Sequence, residues 1–175
     1  MADTNALLIF PHQLFAQHPG FEHSPDKIVL IEDDLFFGDQ QYPVKFHKQK
    51  LWFHRATMKR FEEHLTSQDV VVDYINHDPK KQALSTSLKR LRRQKVRRVM
   101  AAQPHDYELS RRLQSQCESL GLELELLDTP MFLNTSAENG DYRSSKKRWY
   151  MADFYKFQRK RLGIMMEGDQ PVGGQ

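Results

Sequence analysis

Along this chain the spacing of apolar positions switches repeatedly between the period of a strand and that of a helix. Ala6–Phe10 is apolar throughout and ends at Pro11, which suits a central strand buried on both faces. A loop rich in Pro, His and Gly runs from Pro11 to Asp26 without a convincing amphipathic helix, so an irregular crossover is expected there. Lys27–Asp33 reads as a second buried strand that ends in acids. From Lys48 to about Ser67 the period becomes helical: Leu51, Met58, Phe61 and Leu65 form one stripe, while Lys59, Arg60, Glu62 and Glu63 face out. Asp69–Asn76 is β-branched and predicts a third strand. After His77-Asp78-Pro79 a helix carries Ala83, Leu84, Leu88 and Leu91. Val96–Gln103 is a fourth strand, broken by Pro104. Asp106 is placed to cap a helix over Tyr107–Leu120, with Leu109, Leu113 and Leu120 inward and Gly121 as its stop. Glu123–Leu127 alternates, as an edge strand does.

Strands alternating with helices predict an α/β fold over residues 1–133: an open five-stranded, mostly parallel sheet with helices on both faces. Residues 134–175 differ. Asn134 to Ser145 reads as a polar linker with turn residues, and Lys147–Met166 as a helix carrying Trp149, Tyr150, Phe154, Phe157 and Leu162 among basic residues. Glu167–Gln175 is a Gly/Pro tail. So aromatic a helix, outside the five-strand unit, suits packing on a further domain or on a second copy of the chain.

Composition adds exclusions. With 175 residues, 39% hydrophobic and 28% charged, the chain can bury one ordinary core. No apolar run approaches the roughly 20 residues of a membrane helix, and the N-terminus lacks the pattern of a signal peptide, so a cytoplasmic protein is expected. Cys117 is the sole cysteine, which rules out an internal disulfide and a four-cysteine iron–sulfur cluster within this chain. Its place near a buried stripe suits a core residue. Residues 1–79 are net acidic and residues 80–175 net basic, compatible with a polyanionic partner or with solvated helix faces.

Candidate chemistry concentrates in the loop Glu32–Leu51, which leaves the second strand and enters a helix at His47 and Lys48. Open α/β sheets bind ligands at the carboxyl ends of their strands. Glu32, Phe36, Phe37 and Lys48 together offer an acceptor, stacking surfaces and a donor to a flat polar molecule. His12 and Gln13, after the first strand, either face the same crevice or cap their own turn. Lys48 and Lys50 gain nothing from a helix start, so they contact a ligand or are simply solvated. The run from Lys89 to Arg98 holds seven cations in ten residues, among them Lys89, Arg90, Arg92 and Arg93. Without interleaved aromatics it suits nucleic-acid phosphates, an interdomain contact or a solvated face. No dinucleotide fingerprint, P-loop or Gly-x-Ser-x-Gly elbow is present, the eight histidines are scattered, and no catalytic residue or metal ligand is assigned.

Taken in order, several segments resemble the photolyase-related group of the photolyase/cryptochrome superfamily, the iron–sulfur bacterial cryptochromes and bacterial (6-4) photolyases. They are Gln13-Leu14, Glu32-Asp-Asp-Leu-Phe-Phe-Gly, Phe46-His-Lys-Gln-Lys-Leu, His54-Arg-Ala-Thr-Met, Phe132-Leu133, Asp153-Phe-Tyr-Lys-Phe-Gln-Arg-Lys, Gly163-Ile-Met-Met and Pro171-Val-Gly-Gly. The resemblance implies a Rossmann-like antenna domain that holds 6,7-dimethyl-8-ribityllumazine between its strand ends. In the family a large helical domain follows, carrying FAD and a [4Fe-4S] cluster and acting on damaged DNA. The chain ends where that domain begins, so it reads as an antenna domain plus linker helix of a longer protein, not catalytic alone. Chromophore contacts are expected from His12, Gln13, Glu32, Phe36, Phe37 and Lys48. Family members usually show Gly-Asp-Gln-Leu where this chain has Pro11-His12-Gln13-Leu14, so an imidazole stands in place of a carboxylate. A standalone basic module for nucleic acid and a docking platform with a vestigial pocket are the alternatives.

Overall fold

The structure is a computed structural model that describes residues 4–173, in two compact units, Met1–Phe132 and Leu133–Gln175. The first unit is built on five strands: β1 (Asn5–Ile9), β2 (Lys27–Ile31), β3 (Val72–Ile75), β4 (Arg98–Ala102) and β5 (Glu123–Leu127). They pair in the order β3-β2-β1-β4-β5 and every pairing is parallel. β1, the continuous apolar run, sits in the centre with Ala6, Leu7, Leu8, Ile9 and Phe10 fully buried. Burying each of its larger side chains contributes about 2 kcal/mol.

Between the strands lie α1 (Asp34–Phe37), α2 (Lys48–Thr66), α3 (Ala83–Arg93) and α4 (Tyr107–Ser119). Alternate β1 side chains point to opposite faces and seed two cores. Leu7 and Ile9 pack with Met58, Phe61 and Leu65 of α2. Ala6, Leu8 and Phe10 pack with Leu84, Leu88 and Leu91 of α3 and with Leu109, Leu113 and Cys117 of α4. The β1–β2 crossover is irregular, holding only a 3-10 turn at Pro19–His23. There Gly20 lies against Leu7, where an added Cβ would fall 2.3 Å from Leu7 Cδ1. Asp106 caps α4 through Leu109 N–H at 2.9 Å, and Gly121 follows it with φ of 61°. Cys117 is buried in the core, and its thiol is pushed up to about 11 by that burial.

The second unit departs from the sequence reading. The expected linker is a helix, α5 (Ser136–Ser144), started by a reciprocal capping box between Thr135 and Glu138. That motif fixes two otherwise unsatisfied N–H groups and outweighs the turn-forming composition after it. The aromatic helix is shorter than expected: α6 spans Met151–Leu162 and stops at Gly163 with φ of 63°. The supposed tail folds into a hairpin of β6 (Met166–Glu167) and β7 (Gln170–Pro171), turning at Gly168 with φ of 58°. Gly174, in the Pro171-Val-Gly-Gly segment, lies outside the described residues. Tyr142 of α5 is buried against Phe154 and Phe157 of α6, with ring centroids 5.0 and 4.7 Å apart. No helix among the described residues is long and apolar enough to cross a membrane.

Candidate functional site

The chain builds outward from β1 to β3, then returns to β4 and β5 on the other side, so the strand order reverses between β1 and β4. That reversal is where loops part and leave a crevice at the carboxyl edge. Here protein fills it. Gln13 is fully buried and its Nε2 donates to Ala102 O at 2.6 Å, tying the loop after β1 to the end of β4. His12 meets His105 edge to face with ring centroids 4.6 Å apart, and lies parallel to Phe36 at 5.1 Å. The rings continue through His54, 5.8 Å from Phe36, and Phe37, 6.2 Å from His54, to His77, stacked on Phe37 at 6.0 Å.

The acids of the loop after β2 are engaged by neighbouring elements. Glu32 is fully buried, and its two oxygens accept from Arg55 Nε and Nη2 at 2.7 and 2.6 Å, Tyr74 OH at 2.8 Å and His77 N–H at 2.8 Å. Burial alone would raise its pKa, but these four donors hold it below the usual carboxylate range. Asp34 accepts from Ala83 N–H at 3.3 Å and pairs with His77 Nδ1 at 3.0 Å; burial raises its pKa. Asp39 forms an ion pair with Arg112, which holds the carboxyl low, and Arg112 also reaches Glu108 at 2.8 Å. Asp33 caps α1 through Leu35 N–H at 3.0 Å and is pushed up to about 7 by burial.

The structure therefore brings His12, Phe36 and Phe37 into one ladder of rings but leaves the polar groups of Glu32 and the donor of Gln13 engaged with protein. Lys48 stands apart, exposed in the first turn of α2. Of the basic run, Arg90 pairs with Asp73 at 2.8 Å and Arg92 Nε donates to Leu120 O at 3.1 Å, while Lys89 and Arg93 are exposed. No group of three or more metal-ligating side chains converges among the described residues.

The open space lies beside the ladder. A groove of about 1070 Å³ runs between the loop after β1 and the outer face of α2, lined by His12, Leu14, Phe15, Trp52, Phe53 and Phe61 among others. Trp52 and Phe53 are 72% and 58% exposed, large aromatic faces turned mostly to solvent. Both ring nitrogens of His12 are buried without a hydrogen-bond partner, and burial, with His105 beside it, pushes its pKa down to about 4. The imidazole is thus neutral and offers one donor and one acceptor. Trp52 and Phe53 were not among the residues expected from sequence. They fall off the Leu51–Met58–Phe61–Leu65 stripe of α2, and adjacent aromatics off the buried stripe are the pattern that points to them.

The model of a family described as "Deoxyribodipyrimidine photo-lyase-related protein" matches residues 7–175. An uncharacterized protein of Acanthamoeba polyphaga mimivirus is 28% identical over 177 residues, covering 97% of this chain and 89% of that protein. A (6-4) photolyase of Agrobacterium fabrum is 27% identical over 158 residues, which cover 89% of this chain and 30% of the photolyase. Since the match to the family runs through both units, the chain belongs to the deoxyribodipyrimidine photo-lyase-related proteins.

Proposed function

We propose that the first unit is an antenna-type module that binds a flat heteroaromatic chromophore, of the size and class of 6,7-dimethyl-8-ribityllumazine, in the groove between the loop after β1 and α2. The single observation that carries this reading is the pairing of that aromatic-walled groove with a half-buried His12 on its wall whose two ring nitrogens have no partner. The bicyclic ring stacks on Trp52 or Phe53, a turn of the His12 ring brings one of its enclosed nitrogens to a polar atom of the ligand's edge, and the ribityl hydroxyls lie along the helix towards Thr57 and Arg60. Excitation transfer requires only that the pigment be held rigidly, and a neutral imidazole does this as well as a carboxylate. In this reading flavin and iron–sulfur chemistry, and the damaged DNA they act on, belong to a separate helical domain.

The lumazine, added to the purified chain, is expected to quench Trp52 fluorescence with one-to-one stoichiometry and to lose affinity in Trp52→Ala and His12→Phe. A chain that stays free of near-ultraviolet and violet absorption and leaves added lumazine unbound refutes the assignment.

A further inference from the structure

The second unit holds a cavity that the antenna reading does not use. It measures about 460 Å³, lies between α6 and the β6–β7 hairpin, and is lined by Tyr155, Lys156, Arg159, Lys160, Asp169 and Pro171 among others. Residues 156, 159 and 160 fall on one stripe of a helix, three and four positions apart, so their charges converge on the same wall. The cations of α6 differ in what they already hold. Arg161 is engaged by Glu138 at 2.7 Å and by Leu133 O at 3.1 Å. Arg159 donates Nε to Ile164 O at 3.3 Å and Nη2 to Met165 O. These bonds fix its guanidinium in place, and its other N–H groups have no partner among the described residues. Lys160 meets Asp169 at 3.5 Å, a contact between groups 57% and 93% exposed, which contributes little. Lys156 has no carboxylate within ion-pair distance among the described residues. Three cations thus face one solvated carboxylate, beside the ring of Tyr155, 57% exposed and itself 5.6 Å from the Arg159 guanidinium.

We propose that this cavity binds a phosphate ester of a nucleotide, its phosphate between Lys156, Arg159 and Lys160 and its base against Tyr155. A guanidinium held by backbone carbonyls loses little freedom when a phosphate arrives, and two flexible ammonium groups complete the charge. The apolar part of the wall, Ala152, Met166 and Pro171, leaves the flat base out of water. The same chemistry fits a free mononucleotide and one unit of a single strand.

The test titrates the full chain with inorganic phosphate, adenosine monophosphate and a short single-stranded oligothymidylate, by calorimetry. A Lys156→Ala/Lys160→Ala variant is expected to bind about tenfold more weakly or worse, and Tyr155→Leu to lose affinity for the nucleotides but not for phosphate. All three substitutions lie on an exposed helix face, and an unchanged melting temperature confirms that the fold is intact. Saturable one-to-one binding of the monophosphate, competed by phosphate, identifies a free nucleotide. Much tighter, steeply salt-dependent binding of the oligonucleotide identifies a strand. Failure of all three probes to bind overturns the proposal, as does undiminished affinity in the double variant, or loss of binding on Lys89→Glu/Arg93→Glu with the cavity intact.

Discussion

Two neighbouring regions at the carboxyl edge of the sheet are built from similar residue types and have opposite characters. In the acid loop after β2, Glu32, Asp34 and Asp39 have each found a partner in the fold, in Arg55, Tyr74, His77, Ala83 and Arg112. In the groove beside α2, Trp52 and Phe53 are exposed and His12 is half-buried with neither enclosed ring nitrogen engaged. A polar cluster at a strand end is thus no guide to binding by itself, because groups from neighbouring elements can satisfy its members. Groups left unsatisfied by folding are the ones with something to offer a ligand.

The contrast breaks most sharply at Arg55. Removing it by Arg55→Ala leaves the fully buried Glu32 carboxylate with only Tyr74 and His77 N–H, at an expected cost of about 3 kcal/mol. Chemical denaturation measures this, and a loss below about 1 kcal/mol would show that the loop is not held by this latch. Next comes Gly20→Ala, which drives a methyl into the fully buried Leu7 and loosens the loop forming one wall of the groove. Overpacking of this kind costs about 2 kcal/mol, and an unchanged denaturation midpoint would mean that Leu7 has room to move.

A smaller effect depends on pH. Between the ordinary carboxyl value and about 7, folded Asp33 keeps a proton that the unfolded chain has released, so its contribution falls as pH rises through that window. Asp33→Asn preserves the α1 cap and is expected to abolish this decline. His12 and His18 act at the other end. Folded, both stay neutral down to about 4, whereas the unfolded imidazoles protonate near 6.5, so stability is lost as pH falls below 6.5. Melting temperatures across pH 4 to 8 decide both points, and a profile for Asp33→Asn that parallels the wild type would count against the first. The smallest effect on stability belongs to Trp52→Ala and Phe53→Ala, within about 0.5 kcal/mol because both side chains are mostly exposed. Their consequence is expected in lumazine affinity alone; a large drop in stability would make them part of the core instead.

Periodicity located the five strands and the long helices α2, α3 and α4 to within a few residues because each carries its own pattern, such as the unbroken Ala6–Phe10 run or the Leu51–Leu65 stripe, but the four-residue α1, in the expected loop after β2, is too short to show one. It failed where the decisive interaction is short or distant. Helix α5 rests on one capping box, Thr135 with Glu138, inside a segment whose Asn, Gly and Ser residues resemble a linker. The partners of Glu32 come from 23, 42 and 45 residues along the chain, so nothing local shows that its oxygens are occupied. The crevice itself was legible, since strand ends can be counted. That Gln13 closes it by reaching Ala102, 89 residues on, was not.

Because Cys117 is 1% exposed and its thiol protonates up to about 11, maleimide chemistry near neutral pH passes the native chain by. A cysteine introduced at Trp52, or in a second variant at Lys156, would therefore carry the only accessible fluorophore, giving the groove and the cavity an optical address each.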